Sequence, residues 1–178
     1  MSNHYYAGIG SRETPAEVLQ DMTRLASILE ERGYILRSGG AAGADTAFAR
    51  GCKYDTEIFI PWNNFSGLRA GGSIIDSSKL PTFQEAQQIA AKAHPAWHRC
   101  SPGAKTLHTR NVFQVMGADL VNLSRFIVCW TKDGLASGGT GQAIRIADNL
   151  GIPTYNFNEG TRTRSLKEML ATFNFDPV

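Results

Sequence analysis

Three glycine-rich segments carry the residue types that bind phosphate: Gly8-Ile9-Gly10-Ser11-Arg12, Ser38-Gly39-Gly40-Ala41-Ala42-Gly43-Ala44-Asp45 and Ser137-Gly138-Gly139-Thr140-Gly141. Each lies between an apolar, strand-like run and an amphipathic, helix-like run. A helix N-terminus presents unpaired backbone N–H groups and a partial positive charge, and glycine lets a phosphate approach the backbone with no Cβ in the way. Three such turns on one sheet edge make a single anion-binding rim. Taken singly, each glycine also fits a plain turn that needs positive φ, and only the shared placement after strands weakens that reading. None of the three is G-x-x-x-x-G-K-[ST], and none is a clean G-x-G-x-x-G with an acidic residue after the next strand. The common nucleotide signatures are absent.

Other reactive types are scattered. His94, His98, Cys100 and His108 fall within fifteen positions. Pro95 breaks the helical register between them and no pair has finger spacing, so no metal is expected. His108 lies two residues before Arg110 and suits a phosphate as a surface donor. Cys52, Cys100 and Cys129 are odd in number and widely spaced, which fits reduced thiols and not a disulfide framework. Of the aromatic residues, Trp62 and Phe65 are better placed to stack on a base than Trp97 or Trp130, the last of which ends the most apolar run; core packing accounts for them equally well.

The elements that must position these groups alternate. His4 to Gly10 reads as a strand, and a helix starts after Thr14-Pro15, with Val18, Leu19, Met22, Leu25, Ala26, Ile28 and Leu29 on one face and Gly33 as its stop. Tyr34–Arg37 is a second strand, Asp45–Lys53 a second helix and Glu57–Trp62 a third strand. Residues 63–80 lapse into Asn, Ser and Gly and are expected to be an irregular lid at the rim of the site. Helices follow over Pro81–Ala93 and Ala104–Met116, then a central buried strand within Leu123–Thr131, a helix over Gln142–Asn149, a strand over Ile152–Phe157 and a helix over Ser165–Thr172. This α/β alternation predicts a doubly wound, mainly parallel sheet with helices on both faces, whose ligands bind beyond the strand C-terminal ends.

At 178 residues the chain fits one domain, 1–178. A net charge of +2 neither supports nor excludes nucleic acid, because such binding rests on local clusters of Lys and Arg. Residues 1–6 lack the features of a signal peptide and no run approaches ~20 apolar residues, so the expected location is the cytoplasm, with no membrane partner.

In order along the chain, Gly10-Ser11-Arg12, Ser38 to Asp45, Thr109-Arg110-Asn111 and Ser137-Gly138-Gly139-Thr140 followed by Ala143 and Ala147 resemble the successive motifs of the Rossmann-like domain of the DprA/Smf DNA-processing proteins. More broadly, the chain is similar to the SLOG superfamily, which also contains the LOG-type nucleoside-monophosphate phosphoribohydrolases and nucleotide-sensing domains. The resemblance implies a Rossmann-like fold, the core domain alone, with no cofactor and a nucleotide or single-stranded DNA as partner. It implies that Arg12 and Arg110 pair with phosphate, with Ser11 and Asn111 beside them in the same motifs. Backbone N–H groups would come from Gly10, from Ser38, Gly39, Gly40 and Gly43, and from Ser137, Gly138, Gly139, Thr140 and Gly141, while Asp45 would order its loop or a ribose. Arginine suits such a rim because its planar fork grips two phosphate oxygens.

One departure bears on activity. The phosphoribohydrolase loop reads like Pro-Gly-Gly-x-Gly-Thr-x-x-Glu, and here Gly138-Gly139-Thr140-Gly141-Gln142-Ala143-Ile144 leads to Arg145. A cation cannot act as the general base, although it would add phosphate affinity at the first turn of a helix. Glu13, Asp45, Asp76 and Glu85 are the carboxylates available instead, and the sequence selects none as catalytic. The leading expectation is binding of a nucleotide or single-stranded nucleic acid without turnover. The alternatives are N-glycosidic cleavage of a nucleoside 5'-monophosphate and non-catalytic capture of a signalling nucleotide, the last accompanied by homo-oligomer formation.

Overall fold

The apolar runs between the glycine segments pair side by side. The computed structural model describes residues 4–159, 162–163 and 166–172. Strands β1 (His4–Gly8), β2 (Tyr34–Ser38), β3 (Thr56–Ile60), β4 (Ile74–Asp76), β5 (Ile127–Cys129) and β6 (Thr154–Asn156) form a sheet in the order β4-β3-β2-β1-β5-β6. Every neighbouring pair is parallel. Two short strands, β7 (Asn158–Glu159) and β8 (Arg162–Thr163), make a separate antiparallel pair. The helices are α1 (Ala16–Glu31), α2 (Ala44–Arg50), α3 (Phe83–Ala93), α4 (Pro102–Met116), α5 (Gly138–Asn149) and α6 (Leu166–Thr172). Ser165, where the last helix is expected to begin, lies outside the described residues.

Period-two alternation sends successive strand side chains to opposite faces. Tyr6, Leu36, Ile58, Ile60 and Val128 join one core with α1, α2 and α6, whereas Ala7, Phe59, Ile127 and Cys129 join a second core with α3, α4 and α5. The α1 stripe of Val18, Met22, Leu25, Ala26 and Leu29 is fully buried, and each of its large side chains contributes about 1.5–3 kcal/mol. The chain winds outward from β1 to β4, then crosses back to place β5 on the other side of β1. The direction of winding therefore reverses between β1 and β5, which opens a crevice beyond their C-terminal ends.

The expected fold class holds, with differences at the edges. Residues 63–80 are not wholly irregular, because Ile74–Asp76 pairs with β3 in the register Ile58↔Ile74 as the edge strand. Two isoleucines after Gly71-Gly72 are too short a run to show a period, and Asp76 then ends the strand by accepting the Ser78 N–H and hydroxyl. Helix α4 starts at Pro102, with the Ser101 hydroxyl accepting the Ala104 N–H at 3.2 Å. Helix α5 starts at Gly138, four residues before Gln142, where its glycines disguise it.

Arg37 is the largest fully buried side chain among the described residues, inside β2. Its Nε donates to Glu57 on β3 at 2.9 Å, Nη1 donates to the Asn122 carbonyl and the Ser124 hydroxyl, and the guanidinium lies 3.7 Å from the centre of the Tyr5 ring. It thus ties β1, β2 and β3 to the segment that leads into β5. Removing one partner of a buried pair strands the other, so Arg37→Ala is expected to lower unfolding stability by about 3 kcal/mol in urea titrations. A loss of only ~0.5 kcal/mol, as for an exposed pair, contradicts that role.

Candidate functional site

A cleft of about 640 Å³ opens at the β1/β5 crevice. Its walls come from the segment after β1 (Gly10 to Glu13), one face of α4 (Ala104 to Gln114), the segment after β5 (Thr131 to Asp133) and the start of α5 (Ser137 to Thr140), with Ala41, Asp45 and Phe65 on the remaining side. Of the sequence-predicted residues, Gly10, Ser11, Arg12, Asp45, Arg110, Asn111, Ser137, Gly138, Gly139 and Thr140 meet here.

The α5 N-terminus is the clearest anion feature. Ser137 makes no side-chain capping bond to it, and its hydroxyl donates to Asp133 at 2.6 Å. The first intrahelical bond runs from the Gly141 N–H to the Ser137 carbonyl at 2.9 Å. The N–H groups of Gly138, Gly139 and Thr140 consequently have no acceptor among the described residues. Gly138 holds φ at +62°, which only glycine adopts without strain, and a Cβ built on Gly138 or Gly139 meets open space. Asn111 steadies this turn, donating from Nδ2 to the Gly139 carbonyl at 3.0 Å. Arg12, exposed across the cleft, has no hydrogen-bond or ion-pair partner among the described residues.

The second glycine segment serves a different purpose from the one expected. Arg110 is buried, and its Nη1 donates to the carbonyls of Gly39 and Phe59 while its Nε donates to Asn111. The guanidinium anchors the loop, with its remaining edge toward the cleft. Gly39 is required because a Cβ there would collide with Arg110, Gln114 and Asp45. Gly43, at φ +87°, packs against the backbone of Ser11 and Arg12, so the second loop buttresses the first. The Ser38 hydroxyl donates to the Gly8 carbonyl at 2.6 Å, and Gly40 backs onto Leu68. Ser38, Gly39, Gly40 and Gly43 therefore support the cleft without lining it.

Gly141 and Arg145 also fall outside it. The Gly141 N–H is spent within the helix, as above, and a Cβ on Gly141 would strike Ala136. Arg145 turns away, its Nε donating to the Ala93 carbonyl at 3.1 Å, Nη1 to the Ala136 carbonyl at 3.2 Å and Nη2 to Gln142 at 2.9 Å. It fastens α5 to the end of α3 and the preceding turn, so the expected contribution to phosphate affinity is replaced by a structural one.

The sequence reading left out Lys132, Asp133, Leu107 and Gln114, which also line the cleft. Position just after a buried strand is the signal that points to Lys132 and Asp133. Lys132 and Glu13 sit 3.9 Å apart with both side chains largely in solvent, an arrangement worth little energetically. Arg12, Arg110 and Lys132 face Glu13, Asp45 and Asp133, so side-chain charge nearly balances and the free N–H groups of α5 add a local positive dipole to that wall. Asp76 and Glu85, the other carboxylates considered, do not reach the cleft. Phe65 lines it beneath the Arg110 guanidinium, 5.6 Å away, whereas the partly exposed Trp62 stands edge-on to Phe65 outside it and Trp130 is core.

Asp45 and His108, both lining the cleft, are pushed toward their neutral forms. Burial pushes the Asp45 carboxyl up to about 6, against the opposing pull of the Arg110 charge and the Ala41 N–H. Burial, with the charges of His94 and Arg145 next, pushes His108 down to about 4. The folded state binds the Asp45 proton more tightly than the unfolded state, so this group's favourable contribution is present below pH ~4 and lost as pH rises to about 6, a change on the order of 3 kcal/mol. His108 acts oppositely, its contribution being lost as pH falls from ~6.5 toward about 4. Relative to the native chain, Asp45→Asn is therefore expected to gain stability progressively between pH 4 and 6, read as the difference in urea midpoints. A difference that stays level across this range contradicts the assignment.

No protein-family model matches the chain, and no curated protein matches it in sequence. Among solved structures, the DNA processing protein A from Helicobacter pylori, described for its single-stranded DNA binding mode, matches with a TM-score of 0.60 at 17% identity, over 97% of this chain and 74% of that one. The chain therefore has a DprA-like α/β fold built on a six-stranded parallel sheet.

Proposed function

We propose that the protein binds single-stranded DNA or a nucleotide through the cleft, seating one phosphate on the N–H groups of Gly138, Gly139 and Thr140 with Arg12 closing over it. The observation that carries this reading is the uncapped α5 N-terminus, open to solvent at the point where the sheet reverses its winding. Phe65 and Leu107 offer an apolar wall for a base, and the exposed carboxylates Glu13 and Asp133 suit sugar hydroxyls. Preference for single-stranded DNA over a free nucleotide rests on the described binding of the structural neighbour and on the DprA/Smf-like, SLOG-type order of motifs. The nearly balanced side-chain charge argues for few phosphates per site.

A second reading has one observation behind it. Asp45, buried in the cleft with its pKa raised to about 6, has the property of a general acid or base, and a nucleoside 5'-monophosphate N-glycosidase needs such a carboxyl now that Arg145 occupies the usual place. Release of free base from a panel of nucleoside monophosphates, abolished by Asp45→Asn, would establish it.

For the leading reading, calorimetry with short oligothymidylates and with mono-, di- and cyclic nucleotides is expected to find saturable binding. The slope of log K against log salt should be shallow, about −0.7 to −1.5, as one or two single-strand phosphates give. Arg12→Ala should weaken binding ~10- to 100-fold, the worth of a charge-assisted hydrogen bond, without changing stability. Absence of binding to every ligand tested, or an unaltered affinity in Arg12→Ala, overturns the proposal.

A further inference from the structure

At the edge of the cleft that His108 lines, the crossover from α3 to α4 brings together three ligating side chains, two imidazoles and one thiol, spread over fifteen positions of the sequence. His94 caps the end of α3, a 3-10 turn over Trp97–Arg99 reverses the chain and ends on Cys100, next to the α4 N-cap Ser101, and His108 lies about two turns into α4. Pro95, which breaks the helical register, belongs to the reversal that lets the two helices run back along each other. One ligating atom from each of His94, Cys100 and His108 lies within 4.8 Å of the other two, and the two imidazole rings are 4.4 Å apart at an angle of 51°.

We infer that His94, Cys100 and His108 form a binding site for a zinc-type divalent ion, held by two imidazole nitrogens and one thiolate, with a fourth position open to water. The Cys100 sulfur lies 3.9 and 3.8 Å from the two nitrogens of His94, against the ~3.6 Å that separates a sulfur and a nitrogen on tetrahedral zinc. Small rotations of these partly exposed side chains close the difference. Nδ1 of His108 is buried without a hydrogen-bond partner, an arrangement that costs stability unless something binds it. Nδ1 of His94 accepts the Ala96 N–H at 3.0 Å, a single bond that a metal on that nitrogen would replace. The set binds as two neutral imidazoles and one thiolate, so occupancy sends the Cys100 thiol proton to solvent. Imidazole and thiolate select zinc-type ions over magnesium or calcium, whereas the nearby Arg145 charge weakens the site relative to a four-ligand structural zinc.

The test is titration of the reduced, chelator-stripped protein with Co2+ and then Zn2+. One equivalent of Co2+ should give thiolate-to-metal charge-transfer absorption and the visible bands of tetrahedral cobalt, both bleached by one equivalent of Zn2+. Cys100→Ser should lose the charge-transfer band and bind Zn2+ on the order of 100-fold or more weakly, while Cys52→Ser keeps both properties. Cys100 does not line the cleft, so the variant's circular dichroism and its cleft ligand affinity report its folding independently. No charge-transfer band in the native chain, or a band that survives in Cys100→Ser, overturns the inference.

Discussion

The cleft depends on one buried cation. Arg110 projects from the middle of α4 into a space where water is scarce, and desolvation of a guanidinium is costly unless its donors are filled. The carbonyls of Gly39 and Phe59, the Asn111 side chain and the charge of Asp45 fill that need. Each of these partners belongs to a different part of the fold: the β2 loop, the end of β3, the next residue of α4 and the start of α2. Arg110 therefore fixes the second glycine loop, which in turn supports the first through the close contact of Gly43 with Ser11 and Arg12. Asn111, its neighbour, reaches the opposite way to hold Gly139. One helical turn of α4 thus sets the distance between Arg12 and the free N–H groups of α5.

The arrangement divides the labour among three loops that look alike in sequence. The first supplies an exposed arginine, the second supplies packing and the third supplies unpaired N–H groups. Glycine is needed in each for its own reason: close approach to Ala44 and the Trp130 backbone at Gly10, close approach to Arg110 at Gly39 and positive φ at Gly138. With side-chain charges nearly offset around the cleft, the backbone dipoles of α5 are the part of the site that does not depend on a flexible side chain.

Much of this was legible from residue order. Alternation of apolar runs and amphipathic stretches gave the doubly wound sheet, because a strand buried on both faces must be apolar and short. The glycine segments marked the crevice, because tight strand-to-helix turns have few other solutions. The roles of individual arginines were not legible: Arg12, Arg110 and Arg145 have the same side chain, and only tertiary placement makes one free, one a buried anchor and one a clasp on Ala93 and Ala136. β4 was hidden because three residues are too few for a period. His94, Cys100 and His108 stood out in the sequence, but the break at Pro95 and the lack of finger spacing argued against a metal, because their proximity comes from the packing of α3 against α4 and no local spacing encodes that contact.

The first N–H groups of α5 are the proposed seat of the phosphate. Backbone amide chemical shifts, followed while isotopically labelled protein is titrated to saturation with a short oligothymidylate, address it residue by residue. The account predicts that the amides of Gly138, Gly139 and Thr140 shift furthest, together with those of Ser11 and Arg12, and that the same amides move with inorganic phosphate. Saturable binding that leaves Gly138, Gly139 and Thr140 unmoved while amides elsewhere on the surface respond would contradict it.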